Sequence, residues 1–242
     1  MQDQTPPPMP TESQMNSKLP ENDPYEPLEG KSSFTGYLDA LLKTPNRLQA
    51  EIHLGNALPA LKALVLITLF GLLCYGLITG MFSGGVQLVW APLKVIATVL
   101  ASALLCLPSL YIFISLAGIE MKPLSMMAQG MTGLALTSVL LLGLAPVLFL
   151  FTVSTESLVF MGLLHLILFF VAGGAGAQRF LNSLDRYIPA KSFYPGLWLC
   201  IFTLVLCQMS TTLRPILGSS EDVFTSEKQF FLVHWLDVLN AR

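Results

Sequence analysis

The chain predicts an all-α, polytopic transmembrane helix bundle of about five spans, flanked at both ends by amphipathic interfacial helices. Three observations predict it. Of 242 residues, 53% are hydrophobic and only 12% are charged, against about 25% charged in soluble domains. Mean hydropathy is +0.65. Residues 58–213 form a nearly unbroken series of apolar runs, each close to the roughly 20 residues that cross a bilayer as a helix. Spans of that size leave a chain of 242 residues no room for a separate soluble enzyme domain. Cys74, Cys106, Cys200 and Cys207 all fall inside apolar runs, as small buried hydrophobes do, rather than in a disulfide framework.

Residues 1–32 are rich in Pro, Gln, Ser and acids, with Pro6, Pro7, Pro8 and Pro10 crowded together, the composition of a disordered cytosolic tail. Residues 33–57 hold an amphipathic surface helix: Phe34, Tyr37, Leu38, Leu41 and Leu42 recur at i, i+3, i+4, i+7 and i+8, and Pro45 is expected to end it. That apolar stripe suits either the membrane surface or the cytosolic ends of the bundle.

The first span is expected at 59–82, where Lys62, about one turn in, snorkels to the headgroups as an interface anchor. Gly76, Gly80 and Gly84 follow at four-residue spacing, which lets a neighbouring helix approach closely. Ser83, Gly84 and Gly85 turn the chain, and Trp90 marks re-entry at an interface. The second span, 93–117, contains Pro108, which removes a backbone donor and leaves carbonyls that need a neighbour, so this helix is expected inside the bundle.

The third span, 125–153, begins at Ser125 as an N-cap and carries Gln129, Thr132, Thr137 and Ser138 before Pro146. The fourth, 158–177, ends in small residues, with Gly173 and Gly176 as packing positions, before a basic loop from Gln178 to Tyr194. The fifth is expected at 195–213. In the tail, 214–242, Arg214 and Trp235 are interface anchors, Trp235 within an amphipathic helix that a Ser226/Gln229 capping box opens. Lys43, Arg47, Lys122, Arg179, Arg186 and Lys191 flank one side and only Lys94, Arg214 and Lys228 the other, which favours a cytoplasmic N-terminus and an outside C-terminus.

The segment Leu41-Leu42-Lys43-Thr44-Pro45-Asn46-Arg47, five spans, the Gly76 to Gly85 run and Leu107-Pro108-Ser109-Leu110-Tyr111 together resemble the prokaryotic branch of the Yip1-type membrane proteins. The resemblance covers residues 34–212. It implies a cytosolic N-terminus and five spans in a bacterial inner membrane. Eukaryotic members act in vesicle trafficking with small GTPases. Asp23-Pro24-Tyr25-Glu26-Pro27 is similar to their Asp-x-Tyr-x-Pro signature but lies before the surface helix, so that function is not carried over.

Chemistry is sparse in the spans. Coupled transporters place acids at depth, and here every Asp and Glu lies in a tail or loop. His165 is the ionisable group well inside the membrane, with Ser138, Thr137 or Gln208 as expected partners and a neutral interhelical role as the plain alternative. Cys200 and Cys207 would meet His165 around a metal only if their helices abut. No protease constellation, phosphate loop or basic run for nucleic acid is present. The expectation is a non-enzymatic membrane protein without cofactor. Its expected partners are the lipid bilayer, a membrane or cytosolic protein reached through the N-terminal segment, and further copies of itself. The alternative is a passive channel or small-solute transporter built around the kinked second and third spans, and His165, Pro108, Gln208 and Ser138 are the candidate functional residues within the membrane.

Overall fold

In hydrocarbon a backbone satisfies its N–H and C=O groups only in helices or closed barrels, and apolar runs without period-two alternation take the helix. The computed structural model describes residues 34–53, 55–185 and 192–212, and the regular elements there are all helical. Among the described residues they are α1 (Phe34–Lys43), α2 (Pro45–His53), α3 (Ala57–Ser83), α4 (Gln87–Leu116), α5 (Pro123–Ser154), α6 (Leu158–Asp185) and α7 (Tyr194–Thr212). Four of these, α3 to α6, are long and apolar enough to cross a membrane, which fits an integral membrane protein. The apolar stretch of α7, Tyr194–Ser210, is shorter. Residues 1–32, Arg186, Lys191, Arg214 and the segment with Trp235 lie outside the described residues.

Several boundaries depart from the sequence expectation, each for a local reason. α1 ends at Lys43, just before Pro45 as expected, but Pro45 then opens a second helix, because proline is at home in the first turn, where no intrahelical partner exists for its missing N–H. The third span likewise starts at Pro123, with extended Lys122 before it, so Ser125 is not its N-cap. Its hydroxyl instead donates to the Ile52 carbonyl at 3.3 Å, tying the head of α5 to the end of α2. α4 starts at Gln87 and carries Pro92 in its second turn, where one carbonyl loses its donor. Lys94, expected at a span edge, is therefore eight residues inside α4 and only 3% exposed.

The fourth span does not stop at the small-residue run; α6 continues through Asp185, so the first part of the expected basic loop, 178–185, is helix. α4 closes at Gly118 (φ +80), where Gly118 N–H bonds Ser115 O and Ile119 N–H bonds Ile114 O. That pair of bonds satisfies two of the last carbonyls and needs a left-handed residue, hence glycine.

α3 and α5 form the most extensive pair, with α6 against α5 and touching α3 at Tyr75 and Thr79, and α4 against α3; α7 lies against α4. The second span is therefore peripheral rather than inner, with Leu104 and Leu105 exposed beside Pro108. α5 takes the central position because its partners offer glycines at the crossings. α1 and α2 pack on one end of α3 and α5, burying Tyr37, Ala40, Leu41, Leu48 and Ile52 against Ala60, Leu64, Ile67, Ala128 and Ala135. Between the two surfaces open to the stripe, the structure takes the end of the bundle. Burial, and then the nearby Glu51 carboxylate, hold the Tyr37 phenol above its usual pKa.

Candidate functional site

Side-chain hydroxyls within spans bond most cheaply to the carbonyl three or four residues back, and this chain uses that device throughout. Thr137 donates to Gly133 O and Ser138 to Ala135 O, so these two expected partners of His165 are turned to their own helix. The structure pairs His165 with Thr79 of α3: Nε2 lies 3.0 Å from Thr79 Oγ1, and Nδ1 lies 2.7 Å from Met161 O, one turn back on α6. Carbonyls only accept, so Nδ1 carries a proton.

Thr79 Oγ1 also lies 3.0 Å from Tyr75 O. Its single proton therefore chooses between Nε2 of a neutral imidazole and Tyr75 O. With an imidazolium, Nε2–H donates to Thr79 and the hydroxyl turns to Tyr75 O.

The Tyr75 ring stands edge-on to His165 with centroids 5.7 Å apart, and Phe169 stands edge-on to Tyr75 on its other side. Tyr75 is 1% exposed and its hydroxyl has no partner among the described residues. α3, α4 and α5 hold no Asp or Glu, and α6 holds only Asp185, its last residue. Among the described residues no three of His, Cys, Asp and Glu converge as metal ligands would.

A second node surrounds Pro108. Trp198 of α7 lies with its indole N–H 3.3 Å from Cys106 O and 3.2 Å from Ser109 Oγ, while Ser109 itself donates to Cys106 O. Proline in mid-helix weakens the ladder on its N-terminal side, and the indole supplies a donor in that turn from a neighbouring helix. Phe180 and Phe202 pack on the Trp198 ring, at centroid distances of 5.3 and 5.4 Å. Pro108 is thus a docking point for α7. Gln208, further along α7, is half-buried.

The third node lies at the end that α1 and α2 cover. Gln129 is fully buried in α5 with neither amide atom partnered among the described residues, and Gln49 of α2, 2% exposed, leaves its carbonyl oxygen without a partner. His53, at the end of α2, is driven by burial from 6.5 to about 4 and stays neutral at physiological pH.

The packing glycines divide. A Cβ on Gly76 would strike Pro92 Cα, and one on Gly80 would come within 2.7 Å of Gln87 O, so these two seat α4 on α3. Gly84 faces open space and serves the turn, at φ +67. Gly176 is pressed against Gly133 O and the Thr137 hydroxyl, whereas Gly173 has nothing near its Cβ position.

Sequence reasoning passed over Gly71, whose Cβ would lie 2.7 Å from Ser138 O, and Gly133, the mate of Gly176. The signal was small residues on two helices that must cross, which one-helix spacing does not reveal. Lys62 and Trp90 are both exposed, Lys62 on α3 and Trp90 in the first turn of α4. No family model, curated protein or solved structure matches the chain.

Proposed function

We propose that this protein is a five-span, non-enzymatic organiser of partner proteins or lipids in the bacterial inner membrane, N-terminus inside and C-terminus outside, with the prokaryotic Yip1-type proteins as its kin. α7 is the fifth span in this reading. Lys43, Arg47, Lys122 and Arg179 support the orientation, because the contact of Ser125 with Ile52 and the register of Gly133 on Gly176 put them toward one end of the bundle.

The observation that carries the organising role is the seating of α1 and α2. Their inner face is locked into the core of α3 and α5, and their outer face keeps Thr35, Asp39, Leu42, Lys43, Asn46 and Arg47 toward the surroundings. A helix pair fixed to a bundle end and presenting mixed polar and apolar groups is suited to holding a protein at the membrane. The site for a passive path is weaker, since the hydroxyls along α3 to α5 are turned to their own carbonyls.

Photo-crosslinking from position 42 in native membranes is the test. A discrete partner band that is lost when the exposed Asn46 and Arg47 beside position 42 are replaced by alanine supports the reading, and a band unchanged by those replacements, or no band, overturns it. Solute flux in proteoliposomes that disappears with Pro108→Leu or His165→Leu would replace it with the permeation reading. A reporter fused after Arg242 that scores outside supports five spans; a cytoplasmic score removes one.

A further inference from the structure

Along α3, the exposed residues Leu58, Lys62, Leu66, Phe70, Leu73, Leu77 and Met81, with Pro59 beside Leu58, form a stripe at three- and four-residue spacing. On a membrane-spanning helix a stripe of that kind faces lipid. One member is a cation. Lys62 is the sixth residue of α3, and it makes no hydrogen bond or ion pair with another described residue.

Around it the first residue of α1 closes over the start of α3, leaving a groove of about 340 Å³ lined by Phe34, Leu58, Pro59, Lys62, Ala63 and Leu66. Every wall but one is apolar, and the exception is positively charged. The floor of the groove continues into Leu66 and Phe70, which runs toward the bilayer interior.

We propose that this groove is a binding site for one anionic glycerophospholipid, its phosphate on the Lys62 ammonium and an acyl chain lying in the groove and along Leu66 and Phe70. Charge and shape both select that occupant. An anionic headgroup neutralises an ammonium that the described residues leave unmatched, and an apolar trough open to the bilayer suits a chain already dissolved there. A cation that only snorkels needs no trough; here the docking of α1 builds one. The inference rests on the reading of the chain as an organiser of lipids, and it names the lipid class and the place.

The test uses the full chain in nanodiscs of mixed phosphatidylglycerol and phosphatidylcholine, released into detergent and weighed by native mass spectrometry. The wild-type chain retains phosphatidylglycerol over phosphatidylcholine. Lys62→Gln lowers that retention about fivefold, the weight of one cation at an anionic surface, Lys62→Glu abolishes it, and Lys62→Arg restores it. Lys122→Gln, which removes an exposed charge just before α5, leaves it unchanged.

Equal retention in wild type and Lys62→Gln overturns the site. So does a carbodiimide cross-link from Lys62 to a carboxylate of residues 1–32, which would give the groove to the chain's own acidic segment. Partner capture from position 42 does not involve Lys62, so either result leaves the two readings separately decided.

Discussion

The two sides of the bundle are held by opposite means. α3, α5 and α6 meet backbone to backbone: Gly71 accepts Ser138, and Gly133 and Gly176 face each other. α7 is held by bulk and a donor: Trp198, stacked on Phe202 of its own helix, packs on Phe180 of α6 and bonds the α4 turn around Pro108. Lipid tails are as apolar as the side chains, so helices gain little by hiding apolar surface and must gain by fit and by hydrogen bonds. Glycine crossings maximise fit, whereas the aromatic contact combines dispersion with a donor. The first tolerates no added atom at the crossing; the second tolerates reshaping but not loss of its ring.

The largest effect should come from adding atoms on the glycine side. Gly176→Val puts a branched side chain against the Gly133 carbonyl, which is backbone and cannot turn away. The expected cost is about 3 kcal/mol, read as a lower midpoint of thermal unfolding in detergent. An unchanged midpoint would mean that α5 and α6 separate freely and that the division is false.

On the aromatic side, Trp198→Leu should cost about 2 kcal/mol through lost ring contact. Trp198→Phe should cost about 1 kcal/mol, because the rings remain and only the N–H bond goes. If Phe were as damaging as Leu, the hydrogen bond rather than the ring packing on Phe180 would be holding α7.

Acid should distinguish the sides as well. His53 sits under the glycine side with a folded pKa of about 4 against 6.5 when free. Between those values the unfolded form binds the additional proton, so the contribution of neutral His53 is complete above pH 6.5 and is lost as pH falls toward 4. Hydrogen exchange at α2 should rise over that window while α7 stays protected. Equal loosening of both would assign the effect to something other than His53.

The smallest effect belongs to Gly173→Ala, where nothing stands within 4 Å of the new methyl. Stability should stay within about 0.5 kcal/mol. A large loss would show that spacing alone, and not contact, marks the glycines that matter.

How much of this was legible in the sequence depends on whether one helix or two were involved. Apolar runs located α3 to α6 because each is a property of its own segment, and the stripe from Phe34 to Leu42 foretold α1 for the same reason. Gly76 and Gly80 were found by spacing, but Gly84 has the same spacing and a different role. The partner of His165 was missed because Thr79 lies on α3, and a hydroxyl at helical position 79 carries no mark of which neighbour it will face. Pro108 was read as an inner position because its free carbonyls need a neighbour. Trp198 of α7 came to that turn, but its indole donates to Cys106 O and Ser109 Oγ and not to the Leu104 carbonyl, four residues before the proline, whose donor Pro108 removes.

The inward-turned hydroxyls bear on biogenesis. Thr68, Thr98, Ser102, Thr132, Thr137 and Ser138 each donate to a carbonyl of the helix they belong to. Those helices can leave a translocation channel singly, with these groups already satisfied, and wait in the bilayer for one another. The Trp198 bonds and the bond between His165 and Thr79 cannot form until two helices have arrived, so they mark the end of assembly rather than its beginning. A chain stalled during synthesis before α7 would still insert its glycine side, and it would expose the turn at Pro108 to whatever quality-control factor patrols the membrane.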